Sequence, residues 1–384
     1  MLAGENVALG VSGSIAAVKT VELAHELRRQ GADVRAVISD AARGIIHPWA
    51  LEFATGNPVI TEITGSVEHV ELCGYDGWAD VLLLAPSTAN TIGKMAAAVD
   101  DTPVTTTATT ALGAEIPTVI APAMHEPMYD HPGVLESIER LESWGVEFVE
   151  PRIEEGKAKI ATEEAIILDV ARAAADRPLA GKHIVVTSGA TSEPIDPVRV
   201  LTNRASGRTG RGVAKACYVR GADVTLVHDG PDVPYADTVA VESAEEMIEA
   251  VRTAADEADA LVSAAAIGDY TVDPAPEKIR SGSELTLDLE PTPKLIDAVR
   301  EVYPDLPIVG FKLETDGDDE AVIEAARGIL DRADLSFVVA NDASVMGSET
   351  TRVLFVRPEG VTTHQGPKDE IGGRIADALV DELA

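Results

Sequence analysis

Short apolar runs that pass through a glycine- and hydroxyl-rich turn into a helical stripe occur in both halves of this chain. NVALGVS (6–12) has the pattern of a buried strand. The chain then turns at Gly10 and Gly13 and enters a helix at Ser14, with Ile15, Val18, Leu23 and Leu27 as its apolar stripe and Gly31 at its end. DVRAVIS (33–39) is the next strand. Strand, helix, strand implies a parallel sheet, with ligands bound at the carboxyl ends of its strands. Ser12, Ser14 and Ser39 fall at those ends. In the second half HIVV (183–186) leads into TSGATSEPIDPVRVLTNRASGRTGRGVA (187–214), which reads as strand, long loop and helix. Gly189, Gly207, Gly210 and Gly212 let the backbone turn tightly and approach a ligand. The free N–H groups of a helix opening at 206–210 suit a phosphate.

Charge sharpens that reading. The chain has 65 acidic residues against 31 Lys and Arg, a formal net charge of −34. Yet Arg199, Arg204, Arg208, Arg211 and Lys215 lie in one stretch with no acid among them. A cationic segment in so anionic a chain points to an anionic ligand, against the plainer reading of a solvated helix face. The net charge argues against nucleic acid or an anionic membrane as partner. The acids are dispersed, and such a surface repels itself unless salt screens it; at about 1 M the Debye length falls to roughly 3 Å. A salt-rich cytoplasm is the expected setting. Cys73 and Cys217 form no CxxC, no apolar run spans a bilayer, and no cationic segment precedes the first apolar stretch.

Further strands are expected at 79–86, within 115–132, at 221–228, within 260–270 as strand and loop, within 286–296, and at 307–314 and 335–342. Ser243 with Glu246 has the pattern of a capping box. PSTAN (86–90) offers hydroxyl and amide groups at a helix start. Taken alone, His69 reads as structural, the methionines of PAMHEPM as packing, and the segment of PRIEEGKAKIATEEAIIL (151–168) with Gly156, Lys157 and Lys159 as either a lid or an ordinary connection. The glycines do not spell GxGxxG. A short-chain dehydrogenase is disfavoured because no Tyr-x-x-x-Lys pair is present.

Together these segments resemble the bifunctional CoaBC (Dfp) proteins of coenzyme A synthesis. GVSGSIAAVK, His69, APSTAN with Lys94, DDTPVTTT and PAMHEPM match flavin-dependent cysteine decarboxylase motifs in order. TSGATSEPIDPVRVLTNRASGRTG, AAAIGDY, KIRSG, PTPKLI, VGFKLE and VVAND match phosphopantothenate–cysteine ligase motifs in order. The resemblance implies an α/β chain of two Rossmann-like parallel-sheet domains, a decarboxylase at 1–178 and a ligase at 179–384. It implies FMN near Gly13, Ser14, Ser39, Ser87, Thr88, Asn90 and Met124, with His69 and His125 acting on 4′-phosphopantothenoylcysteine. In the ligase it implies CTP with Mg²⁺, Asn203 holding an acyl cytidylate, and a nucleotide site of Asp269, Lys278, Phe311 and the run Pro293, Lys294, Leu295, Ile296. Arg199 and Arg208 are further phosphate candidates. A homo-oligomer of trimeric decarboxylase and dimeric ligase units is implied, acting on small molecules. Three departures stand out. His125 replaces the family's Asn, the flap has no cysteine but carries Lys157 and Lys159, and Ile329 and Ala333 replace two lysines beside Arg327 and Arg332. An active ligase with a non-catalytic flavin domain is the alternative.

Overall fold

The computed structural model describes residues 1–282, 284–314, 319–342 and 350–384. The chain divides into two compact units, Met1–Asp176 and Arg177–Ala384.

In the first unit β1 (Asn6–Val11), β2 (Asp33–Ile38), β3 (Val81–Ser87), β4 (Thr118–Pro122) and β5 (Glu147–Phe148) form one sheet in the order β2-β1-β3-β4-β5. All its pairings are parallel. Every residue of β3 is buried, as expected of a strand covered on both faces. The first helix opens differently from the sequence expectation. Ser14 caps a 3-10 turn, Ile15–Lys19, and only then does α1 (Thr20–Arg29) begin. Three residues per turn set Ile15 and Val18 on one outer side, and both are exposed. Leu23 and Leu27 alone carry the stripe into the core. After β3, α2 (Ala89–Ala96) starts at Thr88. A small antiparallel sheet joins Met124–His125, Lys157–Lys159 and Arg152–Glu154.

In the second unit β6 (His183–Ser188), β7 (Asp223–His228), β8 (Asp237–Ala240), β9 (Ala260–Ser263), β10 (Ile308–Glu314), β11 (Phe337–Asp342), β12 (Thr350–Arg357) and β13 (Gly360–Pro367) form a sheet in the order β8-β7-β6-β9-β10-β11-β12-β13. The first six are parallel, and the last two close the edge antiparallel. The expected strand within 286–296 shrinks to Glu290–Pro291. Leu285 and Leu289 find no sheet neighbour and stay exposed. The expected long loop after β6 folds as a hairpin, Ser192–Asp196 with Arg199–Thr202, before α3 (Arg208–Val219).

The glycines of this opening serve packing. A Cβ at Gly210 would lie 2.7 Å from the Ser188 Cβ and 2.8 Å from the Thr187 carbonyl oxygen. One at Gly207 would lie 2.8 Å from the Gly189 nitrogen, so the first turn of α3 sits directly on the end of β6. Gly212 likewise meets Gly372 of α4 (Lys368–Leu383), where a Cβ on Gly372 would lie 2.5 Å from the Gly212 carbonyl carbon. In each sheet the strand order reverses beside the first strand, between β1 and β3 and between β6 and β9. Crevices at such reversals are where parallel sheets take ligands.

Candidate active sites

The first crevice is lined by short hydroxyls that tie the strand ends together. Ser12 Oγ donates to the Pro86 carbonyl at 2.7 Å and accepts from the Thr88 N–H at 3.2 Å. Ser14 Oγ donates to the Ala123 carbonyl at 3.1 Å and accepts from the Ala16 N–H. Ser39 Oγ accepts from Ala42 N–H, and Thr88 Oγ1 from Thr91 N–H. A Cβ on Gly13 would lie 2.5 Å from the Ala41 Cβ, so only glycine fits that turn. Ser87 Oγ is buried with no hydrogen-bond partner. An orphaned hydroxyl beside a serine-rich turn and a helix start fits a phosphorylated cofactor. Gly13, Ser14, Ser39, Ser87 and Thr88 are thus gathered at the ends of β1, β2 and β3, and the exposed Asn90 lies in the first turn of α2. His69 is half-buried on the helix Glu68–Cys73, and its Nδ1 is buried without a partner.

Met124 reaches the core, while His125 is exposed on the small antiparallel sheet. Lys157 lies directly opposite His125 in register. Facing residues of an antiparallel pair hold their Cβ atoms about 5 Å apart. Lys159 is otherwise engaged, pairing with Glu154 at 3.0 Å and Glu155 at 2.9 Å. Its hydrogen bonds to Glu155 and Glu154 raise the ammonium above its usual range.

In the second crevice the hairpin after β6 organises the loops around it. Thr191 Oγ1 accepts from the Gly268 N–H at 2.8 Å. Glu193, buried, accepts from Ala244 N–H at 2.9 Å and from Thr271 Oγ1 at 3.0 Å. Asn203 Nδ2 donates to the Ala266 and Ile267 carbonyls, each at 3.2 Å. Lys294 pairs with Asp269, and Thr292 N–H donates to the Asp269 carbonyl at 3.0 Å. Asn203, Asp269, Pro293 and Lys294 are therefore brought to one place. Leu295 lies in the apolar core with Ile296 packed against it, and Phe311 is half-buried on β10.

Asp196 lies beneath the hairpin turn with its side chain 0% exposed. It accepts from Val198 N–H at 2.8 Å, Arg199 N–H at 2.9 Å and Ile279 N–H at 3.1 Å, and pairs with the Arg199 guanidinium. Burial pushes its carboxyl up, but these N–H groups and the Arg199 charge outweigh burial and hold it below the usual range. Arg199 is thus tied to Asp196 and to the Ile279 carbonyl, at 3.1 Å. Arg208 and Lys278 are exposed. Ile329 packs on the core and Ala333 is buried in it, so those two helix positions face inward. Arg332 pairs with Asp297, and Arg327 is exposed.

Sequence reasoning did not single out Thr191, Glu193, Asp196 or Thr292. The signal was available in SEPIDP, two acids each followed by a proline just ahead of the basic stretch.

Residues 1–174 match the flavoprotein family, and residues 179–383 match the DNA/pantothenate metabolism flavoprotein C-terminal domain. The coenzyme A biosynthesis bifunctional protein CoaBC of Thermococcus kodakarensis is 51% identical over 361 residues, 92% of this chain and 89% of that one. Its namesake in Methanocaldococcus jannaschii is 35% identical, covering 99% of this chain and 94% of that one. The Escherichia coli protein of the same name is 35% identical, covering 89% and 87%.

Proposed function

This chain belongs to the family of bifunctional coenzyme A biosynthesis proteins CoaBC, enzymes with decarboxylase and ligase activities on one polypeptide, and from that premise we propose how its residues divide the work. Residues 1–178 carry the decarboxylase and 179–384 the ligase. The observation that carries the division is that each unit has its own parallel sheet and its own reversal of strand order.

In the ligase, CTP activates the carboxylate of 4′-phosphopantothenate. The carboxylate attacks the α-phosphorus, the acyl cytidylate forms and pyrophosphate leaves. The cysteine amine then displaces CMP and gives the amide. The amide of Asn203 lies beside Ala266 and Ile267, where it can turn its N–H toward the acyl oxygen as charge develops. Lys278, Arg208 and the N-terminal N–H groups of α3 face the phosphates, with Mg²⁺ arriving on the triphosphate. Asp269 and Lys294, on joined loops, bound the nucleotide together with Phe311.

In the decarboxylase, Ser14, Ser39 and Ser87 would hold the FMN phosphate beside Gly13, and Thr88, Asn90 and Met124 would border the ring. Bound FMN would supply a two-electron acceptor for the substrate thiol, easing loss of CO₂, and would return both electrons to the enethiolate left behind. His69 would move the proton, the task for which histidine is the side chain most often used. His125 and Lys157, facing each other on neighbouring strands, bind the substrate carboxylate and supply an N–H donor where the family has an amide.

Trp49 and Phe53, exposed on the helix Pro48–Thr55, together with the exposed Ile15 and Val18, offer apolar surface for a second copy in a homo-oligomer. The net charge of −34 suits a salt-rich cytoplasm. Two buried free cysteines suit a reducing compartment. Among the described residues no helix is long and apolar enough to cross a membrane.

The test is a single reaction of the full chain with CTP, Mg²⁺, FMN, 4′-phosphopantothenate and cysteine in concentrated KCl, its products followed by mass. 4′-Phosphopantetheine is expected. Accumulation of 4′-phosphopantothenoylcysteine alone would leave the ligase and overturn the decarboxylase reading, because His125 and the missing flap cysteine would then mark a flavin domain without turnover.

A further inference from the structure

The hairpin after β6 reaches far beyond its own turn. Asp196 needs only the Val198 and Arg199 N–H groups to close that turn, and its Oδ1 accepts both. Its second oxygen, Oδ2, accepts the Ile279 N–H, from a residue 83 positions along the chain. Arg199, held on the same oxygen, donates to the Ile279 carbonyl. Both polar groups of the Ile279 residue are therefore gripped by one ion pair, whose Asp196 end is buried. A further bond, from the Ala275 N–H to the Ile195 carbonyl at 2.9 Å, fixes the start of the same segment. Ile279 sits between Lys278 and Arg280, both exposed cations. A lysine ammonium rides on a flexible four-carbon stem, so the region it can reach is set by where its backbone is anchored. A turn-closing role explains half of these bonds and leaves the grip on Ile279 unexplained.

We propose that Asp196 and Arg199 are positioning residues of the ligase, clamping the Ile279 backbone so that Lys278 meets the nucleotide triphosphate. The proposal rests on the reading of Lys278 as a nucleotide contact. It places Arg199 behind the lysine, one step removed from the phosphates.

A double-mutant cycle in the full chain tests it. Pyrophosphate release is followed against CTP at saturating Mg²⁺, 4′-phosphopantothenate and cysteine, for Arg199→Gln, Lys278→Gln and the pair together. Charged hydrogen bonds of this kind contribute enough for Arg199→Gln to raise the KM for CTP about tenfold, with kcat within about twofold. Lys278→Gln raises it at least as much, and adding Arg199→Gln to Lys278→Gln changes little further, within about twofold. Arg199→Lys, which restores the charge without the fork, recovers part of the loss. Losses that multiply in the pair overturn the clamp, because Arg199 would then act independently of Lys278. An unchanged KM in Lys278→Gln alone overturns the reading beneath it, and the clamp's purpose with it. Far-ultraviolet circular dichroism and the urea midpoint of the second unit report whether each variant is folded. Where Arg199→Gln does not fold, Arg199→Lys carries the same cycle.

Discussion

The two units solve the same opening problem by different means. In the first, the turn after β1 is short, and the hydroxyls of Ser12 and Ser14 reach across to Pro86, Thr88 and Ala123. The crevice is a cradle of small groups fixed close to the strands that carry them. In the second, the connection after β6 is long, and its hairpin ties Glu193, Asp196 and Asn203 to loop residues Ala244, Thr271, Ile279, Ala266 and Ile267, beyond the strand ends. The crevice is a web whose members are held by one another's loops rather than by the strand ends. A cradle confines the effect of a substitution to the group it removes. A web transmits it to every loop it holds.

The largest effect that would sharpen this contrast is chemical. His69→Asn is expected to slow decarboxylation by about 100-fold or more, the usual contribution of a positioned acid or base, and to leave ligation unchanged. Separate assays of the two half-pathways on the same preparation check this, and a parallel loss of ligation would break the separation of units. Next, Lys157→Gln is expected to raise the KM for 4′-phosphopantothenoylcysteine about tenfold, with a smaller change in kcat, while Lys159→Gln does neither. Equal effects at both positions would contradict the pairing of Lys159 with Glu154 and Glu155.

A packing test follows. Gly210→Ala places a methyl against the Ser188 Cβ and the Thr187 carbonyl, and overpacking of this kind costs about 1–3 kcal/mol. All three tryptophans, Trp49, Trp78 and Trp144, lie in the first unit. Their fluorescence transition in urea should stay in place while far-ultraviolet circular dichroism shows the second unit melting earlier. The smallest effect is on pH. His228 ends β7 and is fully buried. Burial first, then the charge of Arg211, holds its imidazole below the ordinary value of 6.5, against the opposing pull of Asp229 and Asp232. The unfolded chain therefore takes up a proton near pH 6.5 that the folded unit refuses. Stability is full above that pH and declines as pH falls through it. His228→Leu should flatten the slope of urea midpoints between about pH 7.5 and 5.5 in the second unit only.

The parallel framework was legible because each buried strand is an apolar run with a turn at its end, as in VLLLAPS of β3. The capping box of Ser243 and Glu246 was legible because its pattern is local, and both of its bonds are present. The hairpin at 192–202 was not, because two prolines and short polar residues read as loop until the partner strand is known. The register that sets Lys157 opposite His125 joins segments far apart in sequence, and periodicity carries no such pairing. The alternating leucines within 286–296 misled for the converse reason, since a strand pattern needs an open edge to join. For the sites, residue types at strand ends pointed to phosphate chemistry. Which cations are available and which are tied down appeared only with the ion pairs of Arg199, Lys159 and Arg332.

Cys73 and Cys217 are both buried and free, one in each unit, and burial pushes each thiol up to about 12. A thiol in that state is silent toward disulfide reagents until its surroundings part. The chain therefore carries two internal clocks. Timed alkylation followed by peptide mapping reads how often each unit opens, in the intact protein, with no label added beforehand. Nucleotide should slow only the Cys217 clock and flavin only the Cys73 clock, so the two occupancies can be followed side by side in a single tube.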